Sequence, residues 1–182
     1  MIGIQFKPGG AFPFFRFPAS EAEDTSIALE HLWPGRANEI REQLLSAASI
    51  GLMFSRLEQF LLGQLVRPLE LHPAVRYAMN QFQQPCAISA VVAQIGLSSR
   101  RFIELFRQQI GLAPKAFCRV RRFQRVLQTM HLSKEIDGAA LALECGYYDQ
   151  AHFIHDFQSF SGFSPSAYLA RATEHLNHVP LP

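Results

Sequence analysis

Two stretches of this chain follow one template about fifty residues apart. Residues 90–102 read AVVAQIGLSSRRF, and residues 139–153 read AALALECGYYDQAHF. Each consists of a short apolar run, a glycine, and a second run whose phenylalanines recur at helical spacing. Each second run ends at a glycine that is followed three residues later by a proline, at Gly111 and Pro114 and again at Gly162 and Pro165. The pattern predicts a helix, a glycine turn and a second helix, twice.

This duplicated pattern is that of the helix-turn-helix, whose second helix enters the major groove of DNA. One copy is a weak signal because short helical hairpins are common, whereas two copies at matching offsets are a strong one. The candidate recognition helices span about 99–109 and 149–161. The helix predicted between them, 114–130, is roughly 25 Å long at the usual rise per residue. Because the major groove repeats about every 34 Å, we expect the two recognition helices to enter successive grooves.

Helical periodicity predicts seven helices in the C-terminal part, at 73–83, 88–95, 99–109, 114–130, 137–145, 149–161 and 164–173. In the first recognition helix the outward side chains are Arg100, Arg101, Ile103, Glu104 and Arg107, and Phe102, Leu105, Phe106 and Gln109 share the other face. In the second, Phe153, Phe157 and Phe160 face inward, and the outward side chains are Gln150, His152, His155, Asp156 and Ser159.

The N-terminal part has a different pattern. Apolar and polar residues alternate from Ile2 to Phe17 around Gly9-Gly10, which predicts two short strands joined by a turn. Ser20 and Glu23 fit a helix start signal, and helical periodicity then runs from 37 to 66 in about two helices. Arg67-Pro68 ends that run, because proline lacks the amide donor and disfavours helix in the residue before it. We therefore place a domain boundary at 67–72.

The predicted fold class is mainly α. A small truncated α+β segment, residues 1–70, precedes a seven-helix double helix-turn-helix domain, residues 71–174, and a C-terminal tail follows at 175–182.

The positive charge is confined to the second half of the chain. Residues 1–70 carry 6 Lys/Arg and 8 Asp/Glu, whereas residues 71–182 carry 11 and 7, and the net charge of the whole is +2. In the second half the arginines cluster at 100–101, 107 and 119–125. This distribution suits a face that binds a polyanion, and taken alone it is equally compatible with a solvated surface.

Cysteine content and hydropathy indicate a cytoplasmic protein. No apolar run has the length of a membrane span, and the first residues lack the features of a signal peptide. Three cysteines, Cys86, Cys118 and Cys145, lie in apolar surroundings without metal-ligand spacing, which predicts buried free thiols in a reducing compartment.

Residues 71–174 closely resemble the DNA-binding domain of AraC-type transcriptional regulators, in which a long helix joins two helix-turn-helix units. The resemblance is carried by 145–153 with Phe157, Gly162 and 164–168, and by 111–117 and 122–125 in the linking helix. Residues 2–66 are similar to the end of a sensor domain found in one subgroup of these regulators, through 6–14, 18–20 and Leu32-Trp33. Two departures stand out: where the family often has an arginine that contacts DNA, this chain has Glu104 in the first copy and His155 in the second.

The candidate DNA-contacting residues fall into two groups. Candidates for base edges are the outward polar side chains Arg100, Arg101, Glu104, Gln150, His152 and His155. Candidates for phosphate are the helix N-caps with their free amides and the nearby hydroxyls and cations, namely Ser98, Ser99, Arg107, Lys115, Arg119, Asp149 and Ser164. A given arginine of the 119–125 cluster has an even chance of pairing with a neighbouring acid instead.

Double-stranded DNA is thus the expected partner, and the alternative is a shortened regulator that acts as a protein-interaction module without operator binding. RNA polymerase and a second copy of the chain, joined through the N-terminal segment, are further candidate partners, and the effector is unknown. The sequence shows no catalytic constellation, no cofactor motif and no third ligand beside His152 and His155 for a metal. We expect no enzyme, cofactor or metal site.

The phenylalanines of the predicted strands raise one further expectation. Two edge strands cannot bury their apolar faces alone, so Phe12, Phe14, Phe15 and Phe17 would be left largely uncovered. We therefore expect that Met1 is not the start of a complete sensor domain: either the gene is truncated or mis-started, or this chain associates with another that covers these strands.

Overall fold

The computed structural model describes residues 2–132 and 137–170. In these residues the chain forms two single-turn 3₁₀ helices, Phe12–Phe14 and Ala19–Ala22, and α-helices, with no strand. The α-helices are α1 (Leu29–Leu32), α2 (Ala37–Leu45), α3 (Ile50–Gly63), α4 (Pro73–Gln81), α5 (Ile88–Ile95), α6 (Ser99–Ile110), α7 (Pro114–Leu132), α8 (Gly138–Glu144), α9 (Gln150–Ser161) and α10 (Pro165–Leu169). None of the described helices combines the length and the apolar character needed to cross a bilayer.

The chain divides into two compact units. The first unit combines Met1–Ala78 with Val92–Ala113, and the second combines Met79–Val91 with the chain from Pro114 onward. The N-terminal segment therefore belongs with α6, and α7 to α10 lie in the other unit. The proposed boundary at 67–72 stays a prediction, and the C-terminal tail lies outside the described residues.

The two strands predicted between Ile2 and Phe17 are wrong. Their backbone closes turns instead: the Gly10 amide donates to the Lys7 carbonyl at 2.7 Å, and the Phe14 amide donates to the Ala11 carbonyl at 3.0 Å. Pro13 stands in the first turn of the 3₁₀ helix Phe12–Phe14. Proline fixes φ near the helical value and donates no ladder hydrogen bond, so it favours such a turn over a strand.

The helix start predicted at Ser20 is also wrong. Ser20 lies inside the 3₁₀ turn Ala19–Ala22, whose first residue follows Pro18, and its side chain caps nothing. Glu23 is extended and only closes that turn. The side-chain cap in this segment is Ser49, whose Oγ accepts from the Leu52 amide at 3.2 Å and starts α3.

The N-terminal phenylalanines are covered by the segment itself. Phe12 and Phe14 are buried, and Phe15 and Phe17 are half-buried. The guanidinium of Arg67 lies 4.5 Å from the centre of the Phe12 ring, an attractive cation–π arrangement. The expected exposed phenylalanine patch is therefore wrong, because turns and helices fold over these rings where two strands alone would have left them bare.

The second unit has a core of aromatic and aliphatic side chains from four helices. The ring of Phe157 in α9 packs edge-on against two others. Its centre lies 5.2 Å from that of Phe123 in α7 and 5.4 Å from that of Tyr168 in α10. Leu141 and Ala142 of α8 complete the buried cluster. Because α8 and α9 share this core, the second helix-turn-helix is a packed hairpin.

The seven predicted C-terminal helices are confirmed, with ends that differ by a few residues. Side-chain caps start four of them, α6 and α8 to α10. Asp137 Oδ1 accepts from the Ala139 amide at 2.9 Å at the head of α8, and Ser164 Oγ accepts from the Ala167 amide at 3.2 Å at the head of α10. The prediction of two helices between 37 and 66 is confirmed by α2 and α3.

The prediction that all three cysteines are buried is wrong for Cys86. Cys145 is buried and Cys118 is half-buried, but Cys86 is exposed. Burial raises the pKa of the Cys118 thiol to about 11; the neighbouring Cys86 adds to the rise and Arg122 opposes it. Cys86 follows Gln84-Pro85 in the connection before α5, which carries it to the surface.

The turn glycines Gly96 and Gly146 provide a matched test of the hairpin geometry. Both have left-handed backbones, with φ of 73° and 82°. A Cβ at Gly146 would lie 2.8 Å from Pro85 Cβ, whereas a Cβ at Gly96 would meet nothing within 4 Å. We expect Gly96→Ala to lower the free energy of unfolding by about 1–2 kcal/mol through backbone strain alone, and Gly146→Ala by about 2–4 kcal/mol, because overpacking adds to strain.

Urea denaturation of the two variants measures this difference. Equal losses in the two would contradict the close approach of Gly146 to Pro85.

Candidate nucleic-acid interface

The first candidate recognition helix, α6, has the predicted two faces. Ser98 Oγ accepts from the Arg101 amide at 3.2 Å and starts the helix. Phe102, Leu105 and Phe106 are buried. The outward set predicted from the sequence is exposed along the whole helix: Arg100, Arg101, Ile103, Glu104 and Arg107. A polar surface is thus backed by a phenylalanine core, which is the arrangement that a groove-reading helix requires.

The exposed charges of α6 form a small network. Arg100 Nε donates to Glu104 Oε1 at 3.1 Å, and Arg101 Nη1 lies 3.9 Å from Glu104 Oε2. The Arg100 side chain is 91% exposed, and such surface pairs contribute at most about 1 kcal/mol. Arg100 can therefore exchange Glu104 for a base edge at little cost.

The C-terminal end of α6 is held by the N-terminal segment. Gly111, with φ of 99°, ends the helix, and a Cβ there would lie 3.3 Å from the Ala19 carbonyl oxygen. The His72 amide donates to Gln109 Oε1 at 2.9 Å. These contacts fix where α6 stops and how its last turn is oriented, all within the first unit.

The second candidate recognition helix, α9, begins at Asp149, whose Oδ1 accepts from the His152 amide at 2.7 Å. Phe153 and Phe157 are buried beneath it. Gln150, His152 and His155 are exposed, as predicted.

The exposed side chains of α9 differ in freedom. The His152 ring stands edge-on against Tyr147 at 5.3 Å, and its Nδ1 faces the Tyr148 amide at 3.5 Å. Gln150 lies over α8, where a Cβ at Gly138 would come within 2.7 Å of its Nε2. The side chain of His155 makes no hydrogen bond or ion pair with any described residue.

Asp156 was predicted to face outward, and this is wrong. It is buried, and its Oδ1 accepts from Arg119 Nε at 2.8 Å and from Arg119 Nη2. Arg119 Nη2 also donates to Ser159 Oγ at 3.1 Å, and Arg122 Nη2 lies 3.9 Å from Asp156 Oδ2. Both arginines belong to α7, and Arg119 lies 37 residues before Asp156, so periodicity within α9 does not reveal them.

A signal for Asp156 was nevertheless present in the sequence. At 100° per residue it lies beside Phe160, at the edge of the apolar stripe rather than opposite to it. The sequence carried no comparable signal that Gly138 makes room for the side chain of Gln150. Among residues 2–132 and 137–170, no three His, Cys, Asp or Glu side chains converge on a metal-sized site.

The phosphate candidates occupy different positions. Ser99, Arg107 and Lys115 are exposed. Ser98, Asp149 and Ser164 serve as N-caps, so their side chains already accept first-turn amides. Arg119 is engaged by Asp156, which disfavours its assignment to phosphate. That α6 and α9 share one surface stays a prediction.

Comparison with known proteins agrees with this picture. A family model described as a helix-turn-helix domain matches residues 91–171. The chain is 31% identical over 140 residues to the arabinose operon regulatory protein of Escherichia coli, covering 70% of this chain and 47% of that protein. It is 32% identical over 98 residues to an uncharacterized HTH-type transcriptional regulator of Haemophilus influenzae, covering 54% of this chain and 33% of that protein.

The chain thus spans half or less of the length of the curated relatives that it matches. No solved structure matches it significantly.

The buried ion pair predicts a large effect for Asp156→Ala. Removing the carboxylate leaves the partly covered Arg119 guanidinium without its acid, and the free energy of unfolding should fall by about 1–3 kcal/mol, less than for a fully buried pair because Arg119 is 38% exposed. Glu104→Ala is the matched control. It breaks an exposed pair within one helix and should cost less than about 0.5 kcal/mol. Denaturation of both variants in urea compares them, and an equal cost would show that the Asp156 pair contributes no more to stability than an exposed surface pair.

Proposed function

We propose that this chain, whose residues 91–171 belong to the AraC-type helix-turn-helix family, binds double-stranded DNA and regulates transcription. The observation that supports this most is the pair of helices α6 and α9. Each begins at a side-chain cap, buries phenylalanines on one face and exposes polar side chains on the other. The names of both curated relatives point to the same function.

In the proposed complex α6 and α9 each enter a major groove, in successive turns of the duplex. Arg100 and Arg101 offer the bidentate donor that matches guanine, and Gln150 offers the donor and acceptor that match adenine. Glu104 accepts from cytosine N4, and His155 and His152 donate to a base edge or a phosphate. Among these, Arg100 and His155 have the most freedom to turn toward DNA, given their exposure and weak or absent partners.

Phosphate contacts come from the borders of the reading helices. Arg107 projects from the last turns of α6 and its side chain has no acid partner among the described residues. Lys115 lies in the first turn of α7, and Ser98 and Ser99 present a hydroxyl and first-turn amides that suit a phosphate oxygen. Arg119 is better placed to hold α9 than to contact DNA directly.

A matched pair of variants on α6 tests DNA binding and separates the two kinds of contact. Arg100→Ala should cost about 1–3 kcal/mol of binding free energy at one base position if it reads a guanine. Arg107→Ala should weaken binding about equally on all sequences and reduce the slope of log affinity against log salt by about 1. Both are read from binding isotherms over a salt series, on the best site selected from a random library and on single-base variants of it.

The same experiment distinguishes DNA binding from the alternative, a protein-interaction module that binds no operator. An affinity that is independent of salt would contradict DNA binding, and a selection that yields no enriched sequence would contradict sequence-specific recognition. Equal losses on all sequences for Arg100→Ala would make Arg100 a phosphate contact, and no loss would remove it from the interface.

His155 stands where the family often has an arginine, and its side chain is free to reach DNA. Arginine is charged at every pH at which proteins fold and donates a fork of hydrogen bonds. We therefore expect His155→Arg to tighten binding about 3–10-fold, the range for one added net hydrogen bond. Because His152 lies one turn away on the same helix, His152→Ala and the double variant are the controls. An unchanged affinity in His155→Arg, with His152 intact, would make His155 a bystander.

A further inference from the structure

A small cavity within the second unit has a basic wall. It lies between the connection from α4 to α5, the helix α7 and the turn that precedes α9. Its volume is about 80 Å³, well below the range of about 300–1,000 Å³ for sites of drug-sized ligands. The wall includes three arginines of α7, two cysteines and the turn glycine, namely Arg121, Arg122, Arg125, Cys86, Cys118 and Gly146.

No acid in this wall balances the arginines. None of the described residues that line the cavity is Asp or Glu. The two thiols do not offset the charge either, because desolvation raises the pKa of both Cys86 and Cys118 and keeps them protonated at neutral pH. Arg122 Nη2 lies 3.9 Å from Asp156 Oδ2, but Asp156 already accepts from Arg119 and lies outside the wall. A concave wall of one sign attracts counter-ions, so this cavity favours an anion.

Two of the three arginines have donors available. Arg121 makes no hydrogen bond or ion pair with a described residue, and Arg125 uses only Nη2, which donates to the Gln83 carbonyl. Both are half-buried, and their unbonded nitrogens remain open to solvent, in contrast to the buried Nε of Arg122. Arg122 holds the turn instead, since its Nη1 donates to the Gly146 carbonyl at 3.3 Å. An anion can therefore accept from Arg121 and Arg125 without breaking an existing bond.

We propose that this cavity binds one small tetrahedral dianion, free inorganic phosphate, through Arg121 and Arg125. Guanidinium groups donate planar pairs of hydrogen bonds that match phosphate oxygens, and Arg122 adds a third positive charge. The small volume restricts the occupant to a group of this size. This site is separate from the proposed DNA contacts, because none of the DNA-contact candidates lines the cavity.

The test compares inorganic phosphate with dimethyl phosphate, a diester that reproduces the linkage of the DNA backbone. At mildly alkaline pH phosphate is a dianion, whereas the diester carries one charge and two methyl groups. The full chain is titrated without DNA and followed by phosphorus NMR, at an ionic strength held constant with chloride because salt screens charges. Phosphate should bind saturably, and the diester at least about tenfold more weakly, the loss expected for one hydrogen bond between charged groups.

Two variants separate the arginine from the cavity. Arg121→Gln removes a guanidinium that contacts no other described residue, so the chain should fold normally and bind phosphate about tenfold more weakly or worse. Cys118→Leu leaves the net charge unchanged but places a larger side chain at the wall, and it should also weaken phosphate binding. The control is Arg41→Gln, which removes the same charge from an exposed residue of α2 that does not line the cavity. Its affinity for phosphate should be that of the unmodified chain.

Four results would overturn the proposal. One is the absence of saturable phosphate binding, and another is an unchanged affinity in Arg121→Gln. A third is an equal loss in Arg41→Gln, which would show that binding follows net charge alone. The fourth is equally tight binding of dimethyl phosphate, because the basic wall would then be suited to the DNA backbone. None of these measurements contains DNA, so failure of the proposed DNA binding leaves them unaffected.

Discussion

The buried carboxylate of Asp156 determines how α9 is held. A carboxylate in an apolar core has to be paired, and Arg119 meets it from α7 with two donors on one oxygen. The pair fixes α9 in rotation about its own axis as well as in position. With Asp156 turned toward α7, the side chains of Gln150, His152 and His155 are turned to solvent. The polar surface of α9 therefore depends on a contact made at the edge of its buried face.

The two copies of the template are held in place by different contacts. In α9 the anchor is an ion pair together with the ring cluster of Phe153 and Phe157. In α6 the buried side chains Phe102, Leu105 and Phe106 are apolar, and the last turn is fixed by Gly111 against Ala19 and by Gln109 against the His72 amide. Both copies of the sequence pattern thus form a helix with an exposed polar face, but different contacts hold each helix, because each packs within a different unit.

Local signals made most of the helical domain predictable from the sequence. Caps such as Ser98 and Asp149 and the glycines that end α6 and α9 act within a few residues, and the structure follows them closely. Asp156 was missed because its partner is distant in the chain. The N-terminal strands were mistaken for a different reason: alternation around Gly9-Gly10 imitates a hairpin, but Pro8, Pro13 and Pro18 withhold the amides that a ladder needs. Helical periodicity predicts which side chains are exposed. It does not predict which of them contact DNA, because that also depends on the structure of the DNA.

The contact between Ala19 and Gly111 has a consequence for how such a chain can be recombined. A Cβ at Gly111 would lie 3.3 Å from the Ala19 carbonyl oxygen, and one at Gly9 would lie 2.9 Å from the side chain of Leu71. The end of α6 therefore packs closely against the backbone of residues 9–19. A chimera joined at 67–72 would place a different N-terminal segment against the end of α6 and would lose these close contacts. The N-terminal segment and α6 therefore have to be exchanged together.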